Sequence, residues 1–390
     1  MSADQFKKIE KIANFINSNP KAKVVFLVGA GISTACGIPD FRSPETGLYD
    51  NLAKLKLPFA EAVFDIDYFR ENPQPFYTLA KELYPGNYEP SKFHHLMRVF
   101  QDKGRLHRIY TQNIDTLERS AGIRSNLVVE AHGSFAHNHC IDCGMEYPHE
   151  FFKQAMSNTA GAFARCKSCE GLIKPKIVFF GENLPSHFFS TWDEDLEQLN
   201  ENHIVIVAGT SLAVYPFASL PSEIPKSVRR ALVNLQKVGD FLASPRKSDI
   251  IFNGSSEVAA EELARKLGWL DELESLVEAA SSRRQQSMKE AVSTVSKGAE
   301  EVLNNVVQEM EHMSLSNTSV NKSETVEVEQ TKSKPGNEEQ GKQELKKQEP
   351  EKQEPEKTEE MKRGNEQRRK EGNGQENDKE QILEKMENKN

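Results

Sequence analysis

Phe6, Ile9, Ile12, Ala13 and Ile16 fall three and four residues apart, the interval at which side chains share one face of a helix. The chain is therefore expected to open with an amphipathic helix that stops near Asn19-Pro20. The pattern then changes. Val24-Val25-Phe26-Leu27-Val28 is apolar without alternation, as in a strand covered on both faces, and Gly29-Ala30-Gly31 follows it directly. Comparable runs recur at Leu106–Tyr110, Leu127–Glu130, Ile177–Phe180, Ile204–Ala208, Arg230–Leu235 and Asp249–Phe252, with helix-compatible stretches between several of them. Such alternation predicts an α/β fold built on a Rossmann-like, doubly wound parallel sheet.

Two stretches break the alternation: residues 43–95, rich in Phe, Tyr and Pro with helical patches, and residues 134–174, which carry all four paired cysteines. Together they are expected to form a small zinc-ribbon and helical second domain, with the site in the cleft between it and the sheet. The folded catalytic part then spans roughly residues 5–275. Beyond it, Ala291, Val292, Val295, Ala299, Val302, Leu303, Val306 and Met310 predict an amphipathic helix over 284–315.

Composition limits the rest. Residues 321–390 hold 16 Lys and Arg and 19 Asp and Glu with no aromatic residue, and the pentad Lys-Gln-Glu-Pro-Glu stands twice in tandem at Lys347–Glu351 and Lys352–Glu356. With no apolar face to bury, the tail over 316–390 is expected to be disordered. Residues 1–320 carry 34 basic and 40 acidic side chains, which disfavours a grip on nucleic-acid phosphates. No apolar run approaches a membrane span, and Met1–Pro20 has no signal-peptide core, so a soluble protein in the cytoplasm is expected.

Chemistry concentrates at strand ends. Five cysteines, four of them in Cys140-Ile-Asp-Cys143 and Cys166-Lys-Ser-Cys169 with 22 residues between the pairs, predict one structural zinc ion held by four thiolates. His137 and His139 flank that site and read as surface residues, and Cys36 reads as a small packed residue. The turn Gly29, Ala30, Gly31, Ile32, Ser33, Thr34 after a buried strand suits a phosphate cradle. Thr34 stands where a dinucleotide fingerprint would carry its third glycine, so ordinary hydride transfer is not indicated. Gly37-Ile-Pro-Asp40-Phe41-Arg42 puts a carboxylate, an aromatic ring and a guanidinium on a Pro-bounded loop, as a cofactor lid requires. Thr111-Gln112-Asn113-Ile114-Asp115 projects from another strand end, where its amides and carboxylate either seat a carboxamide and a ribose or cap the next helix. Glu130-Ala131-His132-Gly133 also follows a strand; His132 there is placed either to take a proton from a ribose hydroxyl or simply to pack.

Taken in order, Gly29–Ser33, Gly37–Arg42, Thr111–Asp115, His132-Gly133, the two Cys pairs, Ile177-Val178-Phe179-Phe180-Gly181-Glu182, Gly209-Thr210-Ser211 and Asn234-Leu235 resemble the sirtuin family over about residues 20–270. Asp115–Arg119 and Val214–Ala218 are most similar to its cytoplasmic class I branch. The resemblance implies an NAD-dependent protein-lysine deacetylase in which NAD is consumed as a co-substrate. It assigns catalysis to His132, Asn113 and Gln112. Ala30, Gly31, Ser33 and Arg42 would hold the phosphates, Phe41 would shield the reactive ribose, and Gln112, Asn113 and Asp115 would seat the ribose and nicotinamide. Gly29, Ile32, Thr34, Asp40 and Ile114 complete that half, and Gly209, Thr210, Ser211, Asn234, Leu235, Gln236 and Ser256 surround the adenosine. Val178, Phe179, Phe180, Gly181 and Glu182 would bind the peptide by strand addition, Val178 and Phe180 lining the acyl-lysine tunnel. Lys176 departs from the small or acidic residue expected there, so peptide charge preference would differ. The absence of Tyr-x-x-Arg in residues 48–84 implies neutral acyl groups. Acetylated tails of histones and other proteins are the implied partners. The helix at 284–315 is open to three readings: a nuclear-export signal within 295–315, a segment folding back on the cleft, or a loose surface helix. The same cofactor residues would also serve mono-ADP-ribosyl transfer, and a non-catalytic NAD-sensing zinc-ribbon protein is a third reading.

Overall fold

The computed structural model describes residues 2–39, 57–84, 86, 88–157, 163–286 and 289. The chain divides into Met1–Glu311 and His312–Asn390, and the second unit lies wholly outside the described residues. The expected disordered tail, Asp40, Phe41 and Arg42 of the expected lid, and all of the 284–315 helix except 284–286 and 289 lie outside them too.

Six strands form one parallel sheet: β1 (Lys23–Val28), β2 (Leu106–Thr111), β3 (Val128–Glu130), β7 (His203–Ala208), β8 (Arg229–Asn234) and β9 (Ile250–Asn253). Their order is β3-β2-β1-β7-β8-β9, so the chain reverses its direction of travel across the sheet between β1 and β7. That is the doubly wound order, with the ligand crevice expected at the β1/β7 switch. The described helices are α1 (Ala3–Ser18), α2 (Ile66–Glu71), α3 (Gln74–Leu83), α4 (Lys92–Asp102), α5 (Leu117–Ser120), α6 (His149–Ser157), α7 (Ser186–Gln198), α8 (Leu220–Glu223), α9 (Asp240–Ala243) and α10 (Ser256–Leu267). None is long and apolar enough to cross a membrane.

Both sheet faces are covered, which is why the strands read as unbroken apolar runs. Val24, Phe26 and Val28 join Ile109, Ile204 and Ile206 beneath α1, α4 and α10, with Ile9, Ile12, Ala13 and Ile16 as the buried stripe of α1. Val25 and Leu27 join Tyr110, Val205, Val207 and Leu232 against Phe188 and Trp192 of α7. Each such side chain contributes about 1.5–3 kcal/mol by leaving water. Backbone helix also covers 270–286, and Leu273 packs into the first of these cores.

One charge is buried beside the second core. Asp195 of α7 accepts from Arg108 Nε and Nη2 at 2.8 and 2.9 Å, from Tyr110 Oη at 2.6 Å, and pairs with His107 Nε2 at 3.0 Å. Burial pushes its carboxyl upward, but the hydrogen bonds from Arg108, His107 and Tyr110 outweigh that and hold it well below the ordinary carboxylate value. Its stabilisation is therefore complete above the unfolded value near about 4 and is lost as pH falls toward the depressed folded value. Asp195→Ala would leave the part-buried Arg108 guanidinium and the buried Tyr110 hydroxyl without their acceptor, and a loss of about 1–3 kcal/mol in urea unfolding at neutral pH is expected, a difference that shrinks in acid.

β4 (Gly133–Cys140), β5 (Glu146–Tyr147) and β6 (Ile173–Ile177) form a separate antiparallel sheet in the order β5-β4-β6. The apolar run Ile177–Phe180 is thus not a strand of the parallel sheet: Ile177 ends β6, and the following residues leave as a loop. Helices α2, α3 and α6 share a core with this small sheet through a cluster of rings, among them Phe69–Phe76 at 5.5 Å, Phe76–Phe179 at 4.9 Å and Tyr77–Phe152 at 5.0 Å between centroids. Residues 57–84 and the described residues of 133–157 and 163–177 therefore make one module, although they are distant in sequence. Helix α4 belongs elsewhere, because Phe93, Leu96, Met97 and Phe100 face the parallel sheet.

Candidate functional site

At the β1/β7 switch two turns touch. Gly31 N–H donates to Gly209 O at 2.7 Å. A Cβ on Gly31 would lie 2.7 Å from Gly209 Cα, and one on Gly209, whose φ is +59°, would lie 2.5 Å from Ile32 N. Sequence reasoning gave the first of these glycines to the approach of an anion; the structure shows that backbone meeting backbone requires them as well. Gly209→Ala would force these turns apart, and an expected loss of about 1–3 kcal/mol is measurable as a lowered urea midpoint with unchanged slope.

The turns open onto a cavity of about 790 Å³ lined by Gly29, Ala30, Gly31, Thr34, Gln112, Asn113, Ile114 and His132, among others. Gly209, Thr210, Ser211, Asn234, Leu235, Gln236 and Ser256 line it too, as do Val178, Phe179, Phe180, Gly181 and Glu182. Residues from the ends of β1, β2, β3, β7 and β8, the small module and the start of α10 thus converge. Sequence reasoning missed Gly254, Ser255 and Glu257 at that helix start. Ser255 caps α10 by accepting from Val258 N, and this N-terminus presents the partial positive charge that favours an anion. A Ser-Ser-Glu triplet before an apolar-periodic stretch was the available signal.

Three expected contacts need revision. Ile32 has no exposed side-chain surface and packs under the sheet, so only its backbone belongs to the turn. Ser33 and Asp115 lie behind the lining and touch each other, Ser33 Oγ donating to Asp115 Oδ2 at 2.7 Å. Asn113 Nδ2 donates to Ser33 Oγ at 3.2 Å and to Gly29 O at 3.3 Å, and Gln112 Nε2 donates to Thr210 Oγ1 at 2.7 Å. These bonds tie the β2 end to the β1 and β7 turns. Asp115 Oδ1 also accepts from Leu117 N at 2.9 Å, so the capping role is real. Thr116 between them has φ +63°, a left-handed conformation that a β-branched residue holds only at a cost of about 1–3 kcal/mol.

His132 follows β3. Its Nδ1 is 3.0 Å from Gln112 O, and a ring nitrogen beside a carbonyl must carry the hydrogen. Nε2 is then the bare acceptor; it is buried, has no hydrogen-bond partner, and belongs to a side chain that lines the cavity. Burial lowers the His132 pKa, keeping the ring neutral and able to accept a proton. Gly133 at φ +67° lets the chain turn into β4, where a Cβ would sit 1.8 Å from Lys176 O.

His132 O accepts from Val178 N at 2.9 Å, joining the base to the loop after β6. In this loop Phe180 is 42% exposed at the cavity, whereas Phe179 is 1% exposed inside the module core, so the two rings serve different ends. Glu182 is not a free contact: it takes Phe179 N–H at 2.7 Å and pairs at 2.8 Å with the fully buried Lys174, whose ammonium also donates to Ile177 O at 2.6 Å. Lys176 pairs with Glu146 on the module surface.

The cysteine pairs meet as expected. All four Sγ atoms lie within 4.8 Å of one another, with Cys140–Cys169 and Cys143–Cys166 at 3.5 Å. A tetrahedron with Zn–S bonds of about 2.3 Å has edges near 3.8 Å, so the thiolates fit that ion. Asp142 N and Ser168 N each direct an N–H at 3.4 Å toward Cys140 Sγ and Cys166 Sγ, as thiolates require. His137 is exposed, but His139 is half-buried with an unpartnered Nδ1, a correction to its reading as a surface residue. Cys36 is half-buried, and burial pushes its thiol up to about 12, in keeping with a packed residue.

A doubly wound sheet with a ligand cleft at its switch point, carrying a four-cysteine module on one side of that cleft, defines the class. The Sir2 family profile matches residues 29–216. The NAD-dependent protein deacetylase HST2 of Candida albicans is 58% identical over 256 residues, 66% of this chain and 76% of that protein. The corresponding hst2 of Schizosaccharomyces pombe is 45% identical over 300 residues, 76% of this chain and 88% of that protein. NAD-dependent protein deacetylase sirtuin-2 of Danio rerio is 42% identical over 286 residues, covering 69% and 74%. This chain belongs to the Sir2, or sirtuin, family, and the resemblance read from its motifs is borne out.

Proposed function

We propose that this protein is an NAD-dependent protein-lysine deacetylase that converts acetyl-lysine and NAD to lysine, nicotinamide and O-acetyl-ADP-ribose. The observation that carries this reading is the bare Nε2 of His132, a neutral base facing a cavity shared by the phosphate-type turn and the Val178–Glu182 loop. The names of the relatives support it. When bound, NAD supplies the ribose carbon that takes the acyl oxygen as nicotinamide leaves, and the hydroxyl that receives the acyl group. Ala30, Gly31 and the α10 N-terminus hold the phosphates, Gln112 and Asn113 orient the nicotinamide and its ribose, and Gly209–Ser211 with Asn234–Gln236 enclose the adenosine. His132 Nε2 removes the proton of the ribose hydroxyl, and the Nδ1–H bond to Gln112 O stabilises the imidazolium that results. The backbone of the Val178–Glu182 loop pairs with an extended peptide, and Val178 and Phe180 flank a neutral acyl-lysine.

The substrates are acetylated lysines in histone tails and other protein tails, read mainly through their main chain. The protein acts in the cytoplasm and passes through the nucleus, leaving by an export receptor that binds within residues 295–315. Acetyl-peptide turnover by the full chain should require NAD and release one nicotinamide per lysine; turnover without NAD, or ADP-ribose found on protein by mass spectrometry, would overturn the assignment. Deleting residues 295–315 should shift a fluorescent fusion into the nucleus.

A further inference from the structure

Behind the floor of the cleft lies a group of side chains that the reaction above does not use. An oxygen of Glu118, an oxygen of Asp115 and a ring nitrogen of His94 lie within 4.8 Å of one another. Glu118 is 1% exposed and His94 is fully buried, and both Glu118 Oε1 and His94 Nε2 lack a hydrogen-bond partner. Two carboxylates cannot both be ionised in so dry a space unless a cation joins them. His94 is not that cation: its Nδ1 accepts Ser91 N–H at 3.2 Å within the α4 capping box, which places the ring hydrogen on Nε2. Burial, with His95 beside it, depresses its pKa to about 3.

The hydrogen bonds decide which carboxyl keeps a proton. Burial pushes Asp115 upward too, but it receives Leu117 N–H and Ser33 Oγ–H, donors that favour its anion, whereas Glu118 Oε1 has no partner. Burial, and after it the charge of Asp115, push Glu118 up to about 8. The other ionisable groups around the cluster are committed or neutral. Glu130 is paired with Arg119 at 2.9 Å, burial and after it the charges of Arg283 and Arg98 lower His95 to about 4, and burial, with Asp115 and Glu257 beside it, keeps Cys36 a thiol.

We propose that Glu118 is a positioning residue of the cofactor site: held neutral between His94 and Asp115, it leaves Asp115 as the single anion that anchors Ser33 and, through Ser33, the Asn113 amide. The inference rests on the role proposed above for Asn113. The same Asn113 is held from its backbone by Thr111, whose Oγ1 accepts Asn113 N–H at 3.1 Å and whose hydroxyl lies close enough to Glu118 to favour its anion. Loss of the Glu118 proton puts a second negative charge against Asp115 and disturbs both supports of Asn113 at once.

The test uses the full chain, with KM for NAD and nicotinamide exchange followed from about pH 6 to about pH 10. In the wild type KM for NAD should rise about tenfold with a midpoint near 8, and Glu118→Gln, which carries no titratable proton, should abolish that rise while staying within about threefold of wild type at pH 7. Glu118→Ala should be impaired about tenfold at every pH. An alkaline rise that persists in Glu118→Gln, or a Glu118→Ala protein that matches wild type at pH 7, overturns the proposal. The infrared band of a protonated buried carboxyl should be present at pH 7 and missing in Glu118→Gln; its absence from wild type overturns the proposal even if the alanine variant fails to fold. That band requires no NAD, so it separates a failure here from a failure of the deacetylase reading.

Discussion

His132→Ala is expected to slow deacetylation by about 10²–10⁴-fold while nicotinamide exchange falls much less. The reason is the position of Nε2, the one unpaired acceptor of a ring whose other nitrogen is fixed by Gln112 O. A neutral acceptor of this kind serves to remove a proton, and the proton to be removed appears only after the nicotinamide has gone. On the function proposed above, cleavage of the nicotinamide bond would depend instead on how Asn113, Gln112 and the β1 turn hold the substrate, and the bonds that fix those residues do not involve the imidazole side chain. Because burial lowers the His132 pKa, the alanine variant should also lose the acid limb that protonation of His132 imposes below the ordinary histidine value. Measuring both rates on one preparation checks this; an equal fall in exchange and deacetylation would remove His132 from the second half of the reaction.

Cys166→Ala is expected to abolish activity and to release one zinc ion per chain, measured by elemental analysis of the dialysed protein. Four thiolates on one ion would fasten the Cys140–Cys143 turn to the Cys166–Cys169 turn, in addition to the pairing of β4 with β6, and zinc sites of this kind contribute apparent binding energies of about 10–16 kcal/mol. Tyr147 Oη donates to Cys166 Sγ at 3.2 Å and accepts Lys167 N–H at 2.7 Å, so the loss reaches β5 directly. It reaches the site through β6, because Lys174 on that strand closes the Val178–Glu182 loop through Glu182. The expected order of events on chelation is loss of metal, then loss of peptide turnover, with the parallel sheet still folded by circular dichroism. Retained peptide turnover in metal-free protein would show that the loop is held without the zinc turns.

Much of this was legible from sequence because it is local. Apolar runs such as Val24–Val28 reflect cover on both faces, Cys-x-x-Cys spacing reflects the reach of two thiols to one ion, and polar residues directly after a strand lie at the sheet's ligand edge. Misreadings arose where the same local pattern serves two surroundings. Ile177–Phe180 is as apolar as β7, yet it leaves an antiparallel sheet. Ile32 and Phe179 sit inside motifs of contact residues, yet their side chains turn into cores. Periodicity reports burial and cannot say against what.

By itself, the sequence determined the doubly wound sheet, the zinc turns and the strand-end positions of Gln112, Asn113 and His132, since each depends on neighbours within a few residues. Only the tertiary structure decided that Gly31 and Gly209 touch, that Lys174 clamps Glu182, and that His94, Asp115 and Glu118 share one dry space. The physical reason is that desolvation and close backbone approach are properties of a place, and a place is assembled from segments that the chain order keeps apart.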